Sequence, residues 1–297
     1  MVIERFLEYI AIERKYSNRT VEAYRDDLRD FCTYLEVKPE DFDPSKVDDG
    51  DIKQWMIELL DNKKSPRSVK RYLSSLRSFY KFMLRVGVVT IDPTRKVIAP
   101  KVDKPLPVFF KESEMQRATA YEAEADDFES IRDCLIIEML YQTGARQAEI
   151  LGLKDSDIDL EQGQVRIFGK RKKERIVPIG EKLVGQIKDY LASRESLGSV
   201  PAFFVRVKKN GEVEAMTKNT LYNIVRARMG EVSTLKKHSP HVLRHTFATT
   251  MLNNGADIRT IQSLMGHASL AATQVYTHTT FEQVRKAYNE AHPRAKK

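Results

Sequence analysis

Four prolines, Pro93, Pro100, Pro105 and Pro107, fall within one short stretch and divide the chain. Proline fixes its own φ, lacks a backbone donor and pushes the residue before it toward extended backbone, so no helix or central strand runs through such a stretch. Asp92-Pro93 is read as the end of the preceding helix, and residues 100–107, with lysines among the prolines, as a linker. A short, proline-stiffened linker suits two lobes closing around a partner better than free tethering. At 297 residues there is room for two domains, and the division expected is 1–99 and 108–297.

The first part reads as helices. Phe6, Leu7 and Ile10 form one apolar stripe, Val21, Tyr24, Leu28, Phe31 and Leu35 a second, and Ile52, Trp55, Met56 and Leu59 a third. Each repeats at three and four residues, the period of an amphipathic helix. A fourth helix opens at Ser65, a good N-cap, with Pro66 at its first position. Val69, Tyr72, Leu73, Leu76, Phe79, Tyr80 and Met83 make its apolar face. From Asn62 to Ile91 there is no acid, while Lys63, Lys64, Arg67, Lys70, Arg71, Arg77, Lys81 and Arg85 are all basic. A solvated helix face usually mixes signs, so a face of bases alone points to phosphates, with Arg67, Lys70, Arg71, Arg77 and Lys81 as candidate contacts.

The second part mixes elements. A helical stretch near 111–122 and an acidic run from Glu122 to Glu129 lead into a strongly apolar helix, Ile131 to Gln142. Short strands are expected around Ile158, at Gln164–Phe168 and at Arg175–Ile179, with Gly163 and the Gly169-to-Lys173 stretch as turns of a small antiparallel sheet. From Lys182 onward the pattern is again helical, apart from a hairpin around Asn210-Gly211. Near the end, Thr279-Thr280-Phe281-Glu282 reads as a capping box opening a tail helix over about 280–292, with Phe281, Val284, Tyr288 and Ala291 on one stripe. The fold class expected is mainly α with one small antiparallel sheet.

Composition narrows the function. Apolar residues at 41% and charged residues at 31% describe a soluble, folded protein, and no apolar run is long enough to span a membrane. The start, with acids among its apolar residues, does not look like a signal or transit peptide. Cys32 and Cys134 sit in helical apolar patterns and read as reduced core thiols of a cytoplasmic protein. A net charge of +8 favours a polyanionic partner. P-loop, dinucleotide-binding and nucleophile-elbow motifs are absent. Asp155, Asp157 and Asp159 begin like a calcium loop, but Leu160 and Arg166 stand where it needs glycine and glutamate. His241 and His245 share the spacing of a zinc protease but lack its glutamate, so no metal and no cofactor is expected.

What remains is cationic. Arg146 lies in "TGARQAE" after a glycine able to turn the chain, and Lys170 in the turn "GKRKKER". His241 and Arg244 are three apart in "HVLRHTFAT", and His267 follows the glycine of "LMGHASL", nine residues before Tyr276. Singly, each has an ordinary reading as an ion pair or a packed core residue. Three cations and two histidines beside a tyrosine outweigh those readings, provided that the fold brings them together.

These segments, "TGARQAE", "FGKRKKERIVPIG" and "HVLRHTFATTMLNNGADIRTIQSLMGHASLAATQVYTH", resemble the active-site boxes of the tyrosine recombinase (phage integrase) family, and most of all those of the Xer recombinases. "YSNRTVEAYRDDLRDFCTYL" is similar to the first half of the family's core-binding domain. The resemblance implies an N-terminal helical, SAM-like clamp and a C-terminal, mostly α catalytic domain that together grip duplex DNA. It assigns Arg146, Lys170, His241, Arg244 and His267 to phosphate activation and Tyr276 to nucleophilic attack. Ala145 stands where the family commonly has leucine and Arg171 where it often has glycine; Lys170 aligns best as the catalytic lysine, with Arg171 and Lys172 as further DNA contacts.

The chemistry so implied is attack by Tyr276 on a phosphodiester, leaving a 3′-phosphotyrosyl link and a free 5′-hydroxyl. A phenol with an ordinary pKa near ~10 needs a base, for which His241 is the candidate. Arg146, Arg244 and His267 would meet the charge on the non-bridging oxygens, and Lys170 would protonate the departing oxygen. The tail helix would dock on a neighbouring subunit of a homo- or hetero-tetramer on paired sites, with a DNA translocase as a further possible partner. The role implied is Xer-type resolution of chromosome or plasmid dimers. An integrase of a mobile element shares the chemistry; a type IB topoisomerase-like enzyme and a non-catalytic DNA-binding regulator are more distant alternatives.

Overall fold

The computed structural model describes residues 1–102, 108–120, 127–169, 174–198, 200–266 and 278–295, and these fall into two compact units, Met1–Pro105 and Leu106–Lys297. Among the described residues no helix is long and apolar enough to cross a membrane.

The first unit is four α-helices, α1 (Val2–Ile12), α2 (Asn18–Tyr34), α3 (Asp49–Asp61) and α4 (Pro66–Arg85). Each expected apolar stripe is the buried one: Phe6, Leu28, Trp55 and Phe79 meet in one core, with Phe6 edge-on to Phe79 at 5.5 Å and Phe31 4.7 Å from Trp55. Helix α4 packs against α1, α2 and α3, so its buried face organises the unit. It starts as its sequence dictates, with the Ser65 hydroxyl accepting from the Ser68 amide and Pro66 in the first turn.

Its end differs from the reading of Asp92-Pro93 as the stop. The helix closes at Arg85, where the Val88 amide donates to the Met83 carbonyl and the Gly87 amide to that of Leu84, the paired bonds of a Schellman turn. Asp92-Pro93 instead opens a 3₁₀ turn, Pro93–Lys96, with the Asp92 carboxylate accepting from the Thr94 amide. That turn folds back onto α3 and α4 and buries Val97 in the core.

The second unit is built around α6 (Phe128–Thr143), whose side chains are buried at almost every position from Ile131 to Thr143. Before it, α5 (Glu112–Ala118) is shorter than the stretch expected near 111–122; residues 121–126, with most of the acidic run, lie outside the described residues. After it come α7 (Gln147–Leu151), a 3₁₀ turn (Asp155–Asp157) and an antiparallel sheet of β1 (Ile158–Asp159), β2 (Gln164–Phe168) and β3 (Glu174–Pro178). Strand β3 is set one residue earlier than its apolar run suggests, pairing Val165 with Val177 and Ile167 with Arg175. Helix α8 (Glu181–Glu195) packs on α6, a hairpin of β4 (Val205–Val207) and β5 (Val213–Ala215) turns at Gly211, and α9 (Lys218–Val232), α10 (Pro240–Asn253) and α11 (Ile258–Met265) follow.

The tail helix α12 spans His278–Ala291, close to the 280–292 expected; the side chains of Thr279, Thr280 and Phe281, on which the capping-box reading falls, lie outside the described residues. Its apolar face is buried against its own chain: Val284, Tyr288 and Ala291 join the core around α6 and α10. His292 stacks on Tyr288 at 4.9 Å and lies 5.0 Å from Tyr141 and 5.6 Å from Phe247. Arg294 reaches the buried Glu138 carboxylate at 3.2 Å, and Gln142 ties Glu138 to the Tyr288 hydroxyl. The face expected to dock on a neighbouring subunit is therefore occupied within the chain, because aromatic burial and a buried charge pair reward that position.

Burial pushes His292 down to about 3, so it is neutral in the folded chain, whereas an exposed histidine titrates near 6.5. A depressed histidine pKa contributes stability that is fully present above the unfolded value and is lost as pH falls from there toward about 3. The expected outcome is a larger loss of thermal stability between about pH 7.5 and about pH 4.5 for the natural chain than for His292→Phe, measured by scanning calorimetry. Equal losses would contradict the assignment.

Candidate active site

The carboxylate of Glu149, on α7, is the centre of a cluster of three arginines. One oxygen, Oε1, accepts from Arg146 Nη1 at 2.8 Å; the other, Oε2, accepts from the Arg146 backbone amide at 2.8 Å and from Arg175 Nη2 at 2.7 Å. Arg244 Nη1 lies 4.0 Å from the same oxygen. The sequence dictates this locally: Gly144 ends α6, Arg146 is the N-cap of α7, and Glu149 stands three residues on, the spacing that lets its carboxylate reach back to the cap amide.

The cluster converges on the C-terminal end of α11. Arg244 Nη2 donates to the Met265 carbonyl at 2.7 Å, Arg175 Nε to that of Leu264 at 2.6 Å, and Arg146 reaches those of Met265 and Gly266 at 3.5 Å. Unpaired carbonyls and the negative end of the helix dipole make a helix C-terminus a natural seat for cations. Gly266 caps the helix in the left-handed region, φ +62°, and a Cβ there would lie 3.1 Å from Arg175 Nη1. The residue after it in sequence is His267.

The three guanidinium groups are held differently. Arg244 is buried, with Nη1 on the Gly144 carbonyl at 2.5 Å and Nη2 on that of Met265, and each terminal nitrogen keeps one further N–H. Arg146 is half-exposed; Nη1 is held by Glu149, but its contacts to α11 are long, so Nη2 can turn to an incoming anion. Three guanidinium groups around one carboxylate leave excess positive charge. Burial, with Arg146 beside it, brings Arg244 down to about 10 despite Glu149. Burial alone would raise Glu149, but Arg175 and Arg146 hold its carboxyl below the usual value.

Of the residues expected in the site, Arg146 and Arg244 are brought together by the fold. His241 lies on the first turn of α10, one turn before Arg244, and is exposed. Lys170, Arg171, Lys172, His267 and Tyr276 lie outside the described residues. No group of His, Cys, Asp or Glu among the described residues is arranged to hold a metal ion. Glu149 and Arg175 were not anticipated. Strand alternation could have pointed to Arg175: it is in phase with the buried Val177, whereas Ile176 between them faces outward.

On α4, Arg67, Lys70, Arg71, Arg77 and Lys81 are all exposed. They are not a face of bases alone. Arg71 pairs with the buried Asp27 of α2, which also accepts from Ser75, and lies over the Tyr72 ring at 4.6 Å. Arg77 donates to the Val97 carbonyl at 2.8 Å, and Arg85 pairs with Glu13. The acids that sequence could not show come from other helices.

Replacing Gly144, at φ +56°, by alanine places a Cβ 2.4 Å from Phe247 Cδ1 and disturbs the carbonyl that holds Arg244. Gly144→Ala is expected to lose about 1–3 kcal/mol of unfolding free energy in urea melts. A variant as stable as the natural chain would contradict this reading of the turn.

Residues 109–283 match the phage integrase family and residues 3–87 the phage integrase N-terminal SAM-like domain. The chain is 34% identical over 319 aligned residues to the tyrosine recombinase XerC of Chlorobaculum parvum, covering 99% of this chain and 94% of that protein. It is 39% identical over 296 residues to the XerC of Staphylococcus aureus (strain bovine RF122 / ET3-1), covering 99% and 97%. Among solved structures, the XerH site-specific recombinase bound to palindromic difH substrate in a post-cleavage complex shares the fold, with a TM-score of 0.69, 21% identity, and coverage of 97% and 94%.

Proposed function

Because the chain belongs to the phage integrase family, as a tyrosine recombinase of the Xer type, we propose that it cleaves and rejoins duplex DNA with Tyr276 as nucleophile. The observation that supports this reading best is the meeting of Arg146 and Arg244, nearly a hundred residues apart, on the carbonyl of Met265, two residues before His267. The half-exposed Arg146, with Nη2 only loosely held, and the remaining N–H groups of Arg244 suit the two non-bridging oxygens of a scissile phosphate. Donors preorganised for a transition-state oxyanion are worth roughly 3–4 kcal/mol each when removed from comparable sites.

In this scheme the Tyr276 oxygen attacks phosphorus and its proton passes toward His241. The 5′ oxygen departs with a proton from Lys170, and His267 adds a donor to the phosphate. The phosphotyrosyl ester keeps much of the energy of the broken bond, so a second 5′-hydroxyl reseals it without ATP. The basic residues of α4 and Arg171 and Lys172 contact the DNA backbone. Resolution of chromosome or plasmid dimers by a tetramer in the cytoplasm fits a chain aligned almost end to end with XerC relatives. Release of α12 from its own core would free it for a neighbouring subunit.

The test is incubation with nicked suicide duplexes carrying a site selected by binding from a random pool, with a chelator present. The natural chain is expected to form a covalent protein–DNA adduct and Tyr276→Phe none. Arg146→Ala is expected to slow adduct formation by about a hundredfold to a thousandfold while staying folded. An adduct formed by Tyr276→Phe, or none formed by the natural chain, would overturn the proposal.

A further inference from the structure

Arg175 is an arginine at an inward-facing position of a strand, in register with Ile167 and in phase with Val177. It is buried, 5% exposed, and two of its nitrogens are bonded within the protein. Its guanidinium is anchored at two points inside the protein: Nε donates to the Leu264 carbonyl at 2.6 Å and Nη2 to Glu149 Oε2 at 2.7 Å, while Nη1 lies beside Gly266. Strand β3, which carries it, directly follows the Lys170–Lys173 segment in the chain.

An apolar side chain would fill such a position at no desolvation cost, and buried ion pairs are often replaceable by apolar residues without loss of stability. Stability is therefore a weak reason for this pair, whereas its geometry is specific. The Glu149 oxygen that Arg175 holds also accepts the Arg146 backbone amide, and the carbonyl it holds belongs to the last turn of α11, next to the one that receives Arg244.

Resting on the recombinase reading above, we propose that Arg175 is a positioning residue for strand cleavage. It ties β3 to Glu149 and to the end of α11, so that the Arg146 fork, Arg244 and the chain entering His267 share one geometry. Among the described residues, the charged groups facing Glu149 are Arg146 from the N-cap of α7, Arg175 from β3 and Arg244 from α10. Removing the charge of Arg175 leaves the carboxylate with Arg146 as its remaining close partner and moves its titration upward. Neutral Glu149 accepts fewer bonds and releases the Arg146 amide and fork.

Single-turnover adduct formation on a nicked suicide duplex, followed against pH for the natural chain, Arg175→Gln, Arg175→Lys and Glu149→Gln, tests this. Arg175→Gln is expected to slow cleavage by about a hundredfold near neutral pH with binding of the uncleaved site unchanged. The ratio of its rate to the natural rate should fall further as the pH is lowered and Glu149 takes up a proton, the acid limb lying at higher pH than in the natural chain. Arg175→Lys should recover part of the rate, and Glu149→Gln should lack the limb. A ¹³C titration of the Glu149 carboxyl in the uncleaved protein reports the same upward movement without relying on catalysis. A natural pH profile in Arg175→Gln, or a loss equal in Arg175→Lys at every pH, would overturn the assignment. Absence of any adduct from the natural chain would overturn the recombinase reading, while the carboxyl titration would still decide whether Arg175 governs Glu149.

Discussion

The Glu149 carboxylate sits buried among three guanidinium groups, and the rest of the catalytic unit is arranged so that they can stay there. An isolated buried arginine is costly, and three close together repel one another. One carboxylate offsets part of that repulsion, and the carbonyls of Gly144, Leu264, Met265 and Gly266 take much of the remainder. The excess positive charge that survives is the useful part. In the proposed scheme it meets the scissile phosphate through the half-exposed Arg146 and the remaining N–H groups of the buried Arg244, while Arg175 stays on Glu149.

The two glycines next to the cluster show how tightly backbone and charge are joined. Gly144 turns the chain out of α6 and presents its carbonyl to Arg244; Gly266 ends α11 and lets Arg175 approach. In the first unit a similar device recurs on a smaller scale, where buried Asp27 fixes Arg71 on the otherwise basic face of α4. The tail follows the same logic of buried polar groups, with Glu138, Gln142 and Arg294 placing α12 within its own chain.

Much of this was legible in the sequence where one local rule decides. The helical stripes of the first unit, the Ser65-Pro66 start, the hairpin at Gly211 and the pairing of β2 with β3 follow from period, caps and turn residues. The resemblance to recombinase boxes singled out Arg146 and Arg244, which no periodicity could have joined. What stayed hidden depends on partners distant in sequence. Asp27 against Arg71 and Glu149 against Arg175 are such pairs, and the tail's position rests on α6 side chains more than a hundred residues away. Asp92-Pro93 misled because proline marks where a helix cannot be, whereas α4 had already been closed by the turn at Gly87.

A crystal structure of the chain on a duplex site, with vanadate bridging tyrosine and a nicked 5′ end, tests the central claim most directly. The account predicts that Arg146 leaves its long contacts to Met265 and Gly266 and closes on the vanadate together with Arg244. It also predicts that Arg175 remains on Glu149 and Leu264. Direct contact of Arg175 with the vanadate, or an Arg146 still turned to the end of α11, would contradict it.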